Sequence, residues 1–194
     1  MDKSVITAIV AALALGGTVN ACSAAMDAPA ASGSGQAAMT AGSAPVAQAE
    51  LRDKDGALKG RATARPMGDG VHVTGSLENV APGTYAIHVH TTGMCTPPDF
   101  TSAGSHWNPE GKQHGKENPA GPHKGDLPNV TVGADGRATV SQHIMGVTMT
   151  GGDAALLDGD GAALVLHAGV DDYKTDPTGN AGGRMACGVF KAGL

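Results

Sequence analysis

Aromatic residues are almost missing from this chain. One Trp, two Tyr and two Phe in 194 residues leave a core to be filled by Val, Leu, Ile, Ala and Met, which suits layered β structure. Basic clusters are missing too: the net charge is −5 and no Lys/Arg run occurs. A nucleic acid partner, which needs a basic face, is therefore not expected. Cysteine is scarce and odd in number, with Cys22, Cys95 and Cys187. No segment holds a sustained helical period. The longest mainly apolar run, Val5 to Val19, is too short for a comfortable membrane span.

That run follows Met1-Asp2-Lys3 and has the form of an export signal. Val19-Asn20-Ala21-Cys22 resembles a bacterial lipoprotein box, although Asn20 is atypical at its place. The expectation for residues 1–22 is a signal peptide ending at a lipid-modified Cys22, with ordinary cleavage near Ser23 or Ala24 as the alternative. Residues 23–46 are mostly Ala, Ser, Gly and Met without apolar periodicity and read as a flexible tether. Residues 47–194 are expected to form the folded domain.

Within that domain the turns are plentiful, as 30 Gly and 11 Pro in the chain suggest. Ala47 to Arg52 and Ala57 to Arg65 flank Asp53-Lys54-Asp55-Gly56, a hairpin signal. Gly70 to Leu77 alternates with Val71, Val73 and Gly75 on one face. Gly83 to His90 reads as a strand, Asn129 to Val132 and Arg137 to Ile144 as a second hairpin, then Ala162 to His167 and Arg184 to Phe190 as strands. About eight short strands predict an all-β sandwich or barrel. Two connections, Thr91 to about Pro128 and Ala168 to Gly183, are too long to be turns, and long connections in a compact domain are usually functional.

Histidine is concentrated around those connections. His88 and His90, two apart on a strand, share one face. His106, His114, His123 and Asp126 lie in the first connection, and His167 precedes the second. Three His and an Asp suit zinc in tetrahedral coordination. Four imidazoles from His88, His90, a loop histidine and His167 suit copper(II). His72 and His143 fall in ordinary strand patterns and read as structural.

These residues carry a resemblance. Gly83–His90, Thr101–Pro109, Gly121–Asn129, Val165–Ala168 and Gly179–Gly188 resemble, in order, five motifs of exported bacterial copper/zinc superoxide dismutases. The resemblance implies a Greek-key β-sandwich or flattened barrel with two long functional loops. It implies one copper per subunit on His88, His90, His106 and His167, and one zinc on His106, His114, His123 and Asp126, with His106 bridging as an imidazolate. Asp171 would join a copper histidine to a zinc histidine, here His88 and His114. Arg184 would hold superoxide, with Lys112, Lys116, Lys124 and Lys174 as candidates to widen a positive funnel. Cys95 and Cys187 would form the disulfide. Ser105, Trp107 and Ala168 depart from the family pattern without removing a ligand.

The implied activity is dismutation of superoxide to dioxygen and hydrogen peroxide. His106 and Arg184 would be the catalytic residues, and the enzyme would act in the periplasm as protection of the cell envelope, as a monomer or homodimer. Two other readings compete. A copper-delivery or storage protein would be expected to lack copper ligands or Arg184. A structural zinc domain on a lipoprotein would leave His88, His90 and His167 without a purpose.

Overall fold

The computed structural model describes residues 46–193, so the expected signal segment, Cys22 and nearly all of the expected tether lie outside the described residues. The first strand, β1 (Ala47–Asp53), shows how the sequence writes the fold. Ala47, Ala49 and Leu51 are buried while Gln48, Glu50 and Arg52 face out. The Asp-Gly turn then reverses the chain. Asp53 accepts the Asp55 and Ala57 amides on one carboxylate oxygen, at 3.0 and 2.9 Å, and Gly56 takes φ +83°. β2 (Leu58–Met67) pairs back on β1, with a register shift between Leu51 and Arg52. β3 (Gly70–Leu77) pairs with β2 and with β7 (Ala138–Met145) in unbroken register.

The remaining strands are β4 (Gly83–Tyr85), β5 (Ile87–His90), β6 (Val130–Val132), β8 (Ala163–His167), β9 (Arg184–Val189) and β10 (Lys191–Ala192). The main antiparallel sheet runs β5-β8-β9-β1-β2-β3-β7, with β10 also on β1, and β4 pairs with β6 in a separate ribbon. The last long strand thus returns beside the first, and the sheet curls into a flattened half-barrel. The only helical piece among the described residues is a 3-10 turn at Thr101–Ala103.

Two sequence expectations are corrected. The strand expected over Gly83–His90 breaks at Ala86, whose amide donates to Gly169 O at 2.8 Å and whose carbonyl accepts the His167 amide at 2.9 Å. The expected hairpin of residues 129–144 has its turn, with Gly133 N–H donating to Arg137 O at 2.9 Å. Its two strands nonetheless pair elsewhere, β6 with β4 and β7 with β3.

Strand β8 separates two packed layers. Leu164 and Leu166 point into the main aliphatic core beside Ile87 and Val89. Ala163 and Val165 point the other way, against Phe100, Ala103 and Cys187. The pairs His88↔Val165 and His90↔Ala163 put both β5 histidines on this second face. An exposed His88/His90 pair is excluded: both are essentially fully buried, roofed by the two long connections.

Candidate metal centre

β5 is the edge of the main sheet, and the first connection completes it. Thr91 N–H donates to Ser105 O at 3.0 Å, Trp107 N–H to Val89 O at 2.8 Å, and Val89 N–H to Gly125 O at 2.9 Å. His106 and Asp126 are thereby zipped alongside His90 and His88. Gly125 is required at this crossing, since a Cβ there would collide with the Val89 carbonyl and the Trp107 amide. The second connection is tied down by Ala168 N–H to Gly183 O at 2.7 Å and Gly169 N–H to Ala181 O at 2.8 Å. Asp171 is aimed inward, its own amide held by Asn129 Oδ1 at 2.9 Å.

Two donor sets result. Ligand atoms of His88, His90, His106 and His167 lie within 4.8 Å of one another, and so do those of His106, His114, His123 and Asp126. His106 belongs to both.

The hydrogen bonds fix which ring nitrogen each histidine presents. His90 Nδ1 lies 2.9 Å from Gly104 O, and His167 Nδ1 3.5 Å from Gly182 O. A carbonyl only accepts, so both Nδ1 atoms carry the proton. The two Nε2 lone pairs then face each other at 3.3 Å, an arrangement that needs a cation. His88 donates from Nε2 to Asp171 at 3.0 Å, which leaves Nδ1 buried and without a partner. His106 Nε2 is likewise buried and unpartnered. Four imidazole lone pairs converge with no proton between them, and this donor set fits copper.

The second set is centred on Asp126 Oδ1. His106, His114 and His123 bring Nδ1 to within 2.8, 3.0 and 3.1 Å of it. The other oxygen accepts the Gly115 and His123 amides, each at 2.9 Å. Three nitrogens and one carboxylate oxygen fit zinc. Asp171 joins the sets: Oδ2 accepts from His88, and Oδ1 accepts from His114 Nε2 at 2.9 Å.

Burial depresses the proton affinity of His90, His106 and His167 in the absence of metal. The pKa falls to about 2 for His90, about 4 for His106 and about 3 for His167, helped by neighbouring imidazoles. At His114 burial also lowers the pKa, but the Asp126 and Asp171 carboxylates outweigh it and raise it to about 9. Burial raises the pKa of Asp126 and Asp171, and hydrogen bonds from the imidazoles more than reverse it, holding both well below the usual carboxylate range.

A cleft of ≈ 690 Å³ opens onto the first set, lined by His90, His106, His167, Arg184, Thr101 and Lys112 among others. Arg184 Nη1 donates to Phe100 O and Nη2 to Gly104 O, both at 2.6 Å. The Cys95–Cys187 disulfide ties the loop carrying these carbonyls to β9. The sequence leaves open which of the four candidate lysines face the channel, and the structure distinguishes them. Lys112 lines the cleft, paired with Glu110 at 2.6 Å. Lys124 instead binds Glu110 at 2.7 Å and Met145 O at 3.1 Å. Lys116 sits over the Tyr173 ring, and Lys174 pairs with Glu117. Sequence reasoning missed Gly104, whose carbonyl serves both His90 and Arg184, and Asn129, which seats Asp171; neither residue type signals such a role.

The fold and the two linked donor sets define a metalloprotein with a copper-type site and a zinc-type site on the outer face of a β half-barrel. Residues 58–190 match the model of the copper/zinc superoxide dismutase family (SODC). The chain is 43% identical over 147 residues to superoxide dismutase (Cu-Zn) 2 of Aquifex aeolicus, covering 75% of this chain and 86% of that one. It is 42% identical over 148 residues to the copper/zinc superoxide dismutase of Caulobacter vibrioides, covering 75% and 85%. The crystal structure of a SOD-like protein from Bacillus subtilis superposes with a TM-score of 0.70 at 38% identity, covering 73% of this chain and 96% of that one. The chain belongs to the copper/zinc superoxide dismutase family. It is an enzyme of that family, with copper and zinc as its cofactors.

Proposed function

We propose that the four-imidazole set holds the catalytic copper, that the Asp126-centred set holds a structural zinc, and that His106 bridges them as an imidazolate. One observation carries this reading: His106 offers Nδ1 to one donor set and an unpartnered, buried Nε2 to the other. Losing both ring protons is reasonable for an imidazole only between two cations. Copper, when bound, supplies one-electron exchange, so that one superoxide is oxidised to dioxygen and a second, with two protons, is reduced to hydrogen peroxide.

The protein's own groups do the rest. The guanidinium of Arg184, held by two carbonyls, attracts and orients the anion at the cleft floor. His106 Nε2 holds a proton during half of the cycle and returns it to the peroxide. Asp171 keeps His88 and His114 in fixed tautomers. The cleft gives a small anion access to the otherwise buried imidazoles.

The export signal and Cys22 support placement in the periplasm, with a lipid anchor to the membrane and a protective role at the cell envelope. The domain acts there as a monomer or homodimer. Metal analysis with dismutation assayed before and after copper removal tests the reading. One copper and one zinc per chain, with activity lost and regained with copper, is the expected result. Stoichiometric zinc with neither copper uptake nor activity would overturn it. Fatty-acid labelling lost in Cys22→Ser, together with recovery from the envelope fraction, tests the anchor and the location.

A further inference from the structure

The outer face of the β2-β3-β7 ladder carries a second cluster of metal-ligating side chains, apart from the donor sets above. Met67 pairs with Gly70 across β2 and β3, and Gly70 pairs with Met145 across β3 and β7. Paired residues share a face, so two thioethers flank a residue with no side chain. Both methionines are exposed, Met67 at 40% and Met145 at 63%. Each side of the glycine thus presents a water-facing thioether, and the informative feature is the buried polar group between them.

The gap over Gly70 is filled by His143, which lies two residues before Met145 and so on the same face. A Cβ at Gly70 would come within 2.8 Å of His143 Nε2. That nitrogen is shielded from solvent and accepts or donates no hydrogen bond. Its nearest charged neighbour is Asp69 Oδ1, at 3.5 Å. His72, which pairs with His143 in the ladder, turns away toward Ser141 Oγ at 3.1 Å. An unpartnered imidazole nitrogen therefore lies over Gly70, whose ladder partners on either side are Met67 and Met145, with a carboxylate at 3.5 Å.

Thioether and imidazole together are a soft donor set. They suit a polarisable monovalent d10 cation and not magnesium or calcium, which take oxygen ligands. We propose that Met67, Met145 and His143 form a surface site for Cu(I), with Asp69 offsetting its charge. Cation binding gives His143 Nε2 the partner it lacks and accounts for the two exposed methionines. The site adjoins the zinc loop, because Lys124, which follows His123, donates to the carbonyl of Met145. Binding is the whole of the proposal, and no electron transfer is needed for it.

The test uses the full chain with copper and zinc already loaded, in a Cys22→Ser background to remove the competing thiol, and with 13C-methyl methionine. Silver(I), a redox-inert probe of the same charge and softness, is titrated in, followed by Cu(I) under anaerobic conditions against a chelator. One additional cation per chain is expected, with shifts of two methionine methyl resonances assigned to Met67 and Met145 by their Leu variants. Met67→Leu with Met145→Leu should weaken binding at least tenfold while the fold and the loaded metals are retained. His143→Asn should do the same, and Asp69→Asn should weaken binding severalfold. No additional silver or copper bound, or binding unchanged in the double Leu variant, would overturn the proposal. So would shifts confined to Met94 or Met185.

Discussion

Arg184 and His90 are held by the same atom. The Gly104 carbonyl accepts Arg184 Nη2 at 2.6 Å and His90 Nδ1 at 2.9 Å. The group that meets the anion and a group that meets copper are thus indexed to one point of the backbone. Their spacing is set by the Phe100–Gly104 segment and not by either side chain.

Replacing Arg184 by Glu is expected to lower kcat/KM at least about tenfold and to reverse the salt dependence, because attraction becomes repulsion at the cleft floor. Copper and zinc contents should be unchanged. Stopped-flow dismutation at several ionic strengths checks this, and a wild-type rate would remove Arg184 as the anchor.

Asp171→Asn replaces a double acceptor by a group with one acceptor and one donor. His88 and His114 both donate to this side chain, so one of them loses its partner. Affinity for copper and zinc should fall about 10–100-fold in chelator competition. Equal affinities would show that the carboxylate is dispensable.

Gly179→Ala tests the same region by crowding. Gly179 has φ +63°, and a Cβ there would run into Asp171 Oδ1 and His114 Nε2. Zinc should be lost first, read as sub-stoichiometric zinc in purified protein. Full zinc would mean that the second connection yields more readily than its hydrogen bonds suggest.

Removing the disulfide by Cys95→Ala and Cys187→Ala opens a closure of 92 residues. The loss is about 4–5 kcal/mol in the chain-entropy treatment, measurable by urea unfolding. Phe100, which packs against Cys187 and supplies a carbonyl to Arg184, would also loosen. Activity should therefore fall even where the variant remains folded.

Acid should destabilise the metal-free protein. His90, His106 and His167 have folded pKa values of about 2, 4 and 3 against 6.5 when unfolded. Between those limits the unfolded chain binds more protons, so stability is present above 6.5 and falls as pH drops below it. His114, raised to about 9, acts oppositely: its contribution is complete below 6.5 and is lost as pH rises to 9. Three groups outweigh one on the acid side. The urea midpoint of metal-free protein should be lower at pH 5 than at pH 7; an equal or higher midpoint would contradict the burial of these imidazoles.

Much of the ladder was legible in sequence. Alternation in β1 and β3 and the Asp-Gly turn are local signals, and the structure follows them. The break at Ala86 was not legible, because its partners Gly169 and His167 lie far along the chain. The β6–β7 turn was legible but its outcome was not, since strand partners are chosen by tertiary packing. The seven side chains that converge were singled out by residue type and order. Which nitrogen each histidine presents depends on distant acceptors such as Asp171 and Gly104, and sequence carries no trace of that. Which lysines face the cleft was not legible for a related reason: a Lys near a ligand in sequence can pair with Glu110 or Glu117 or lie over an aromatic ring.

None of the seven converging side chains comes from β1, β2, β3 or β7. The sheet therefore has one half whose outer face is committed to the cage, and another half whose outer face supplies no ligand to it. Substitution on that second face leaves the cage ligands untouched, so it is the part of the molecule where new surface properties, a further cation site among them, can accumulate while the old chemistry continues.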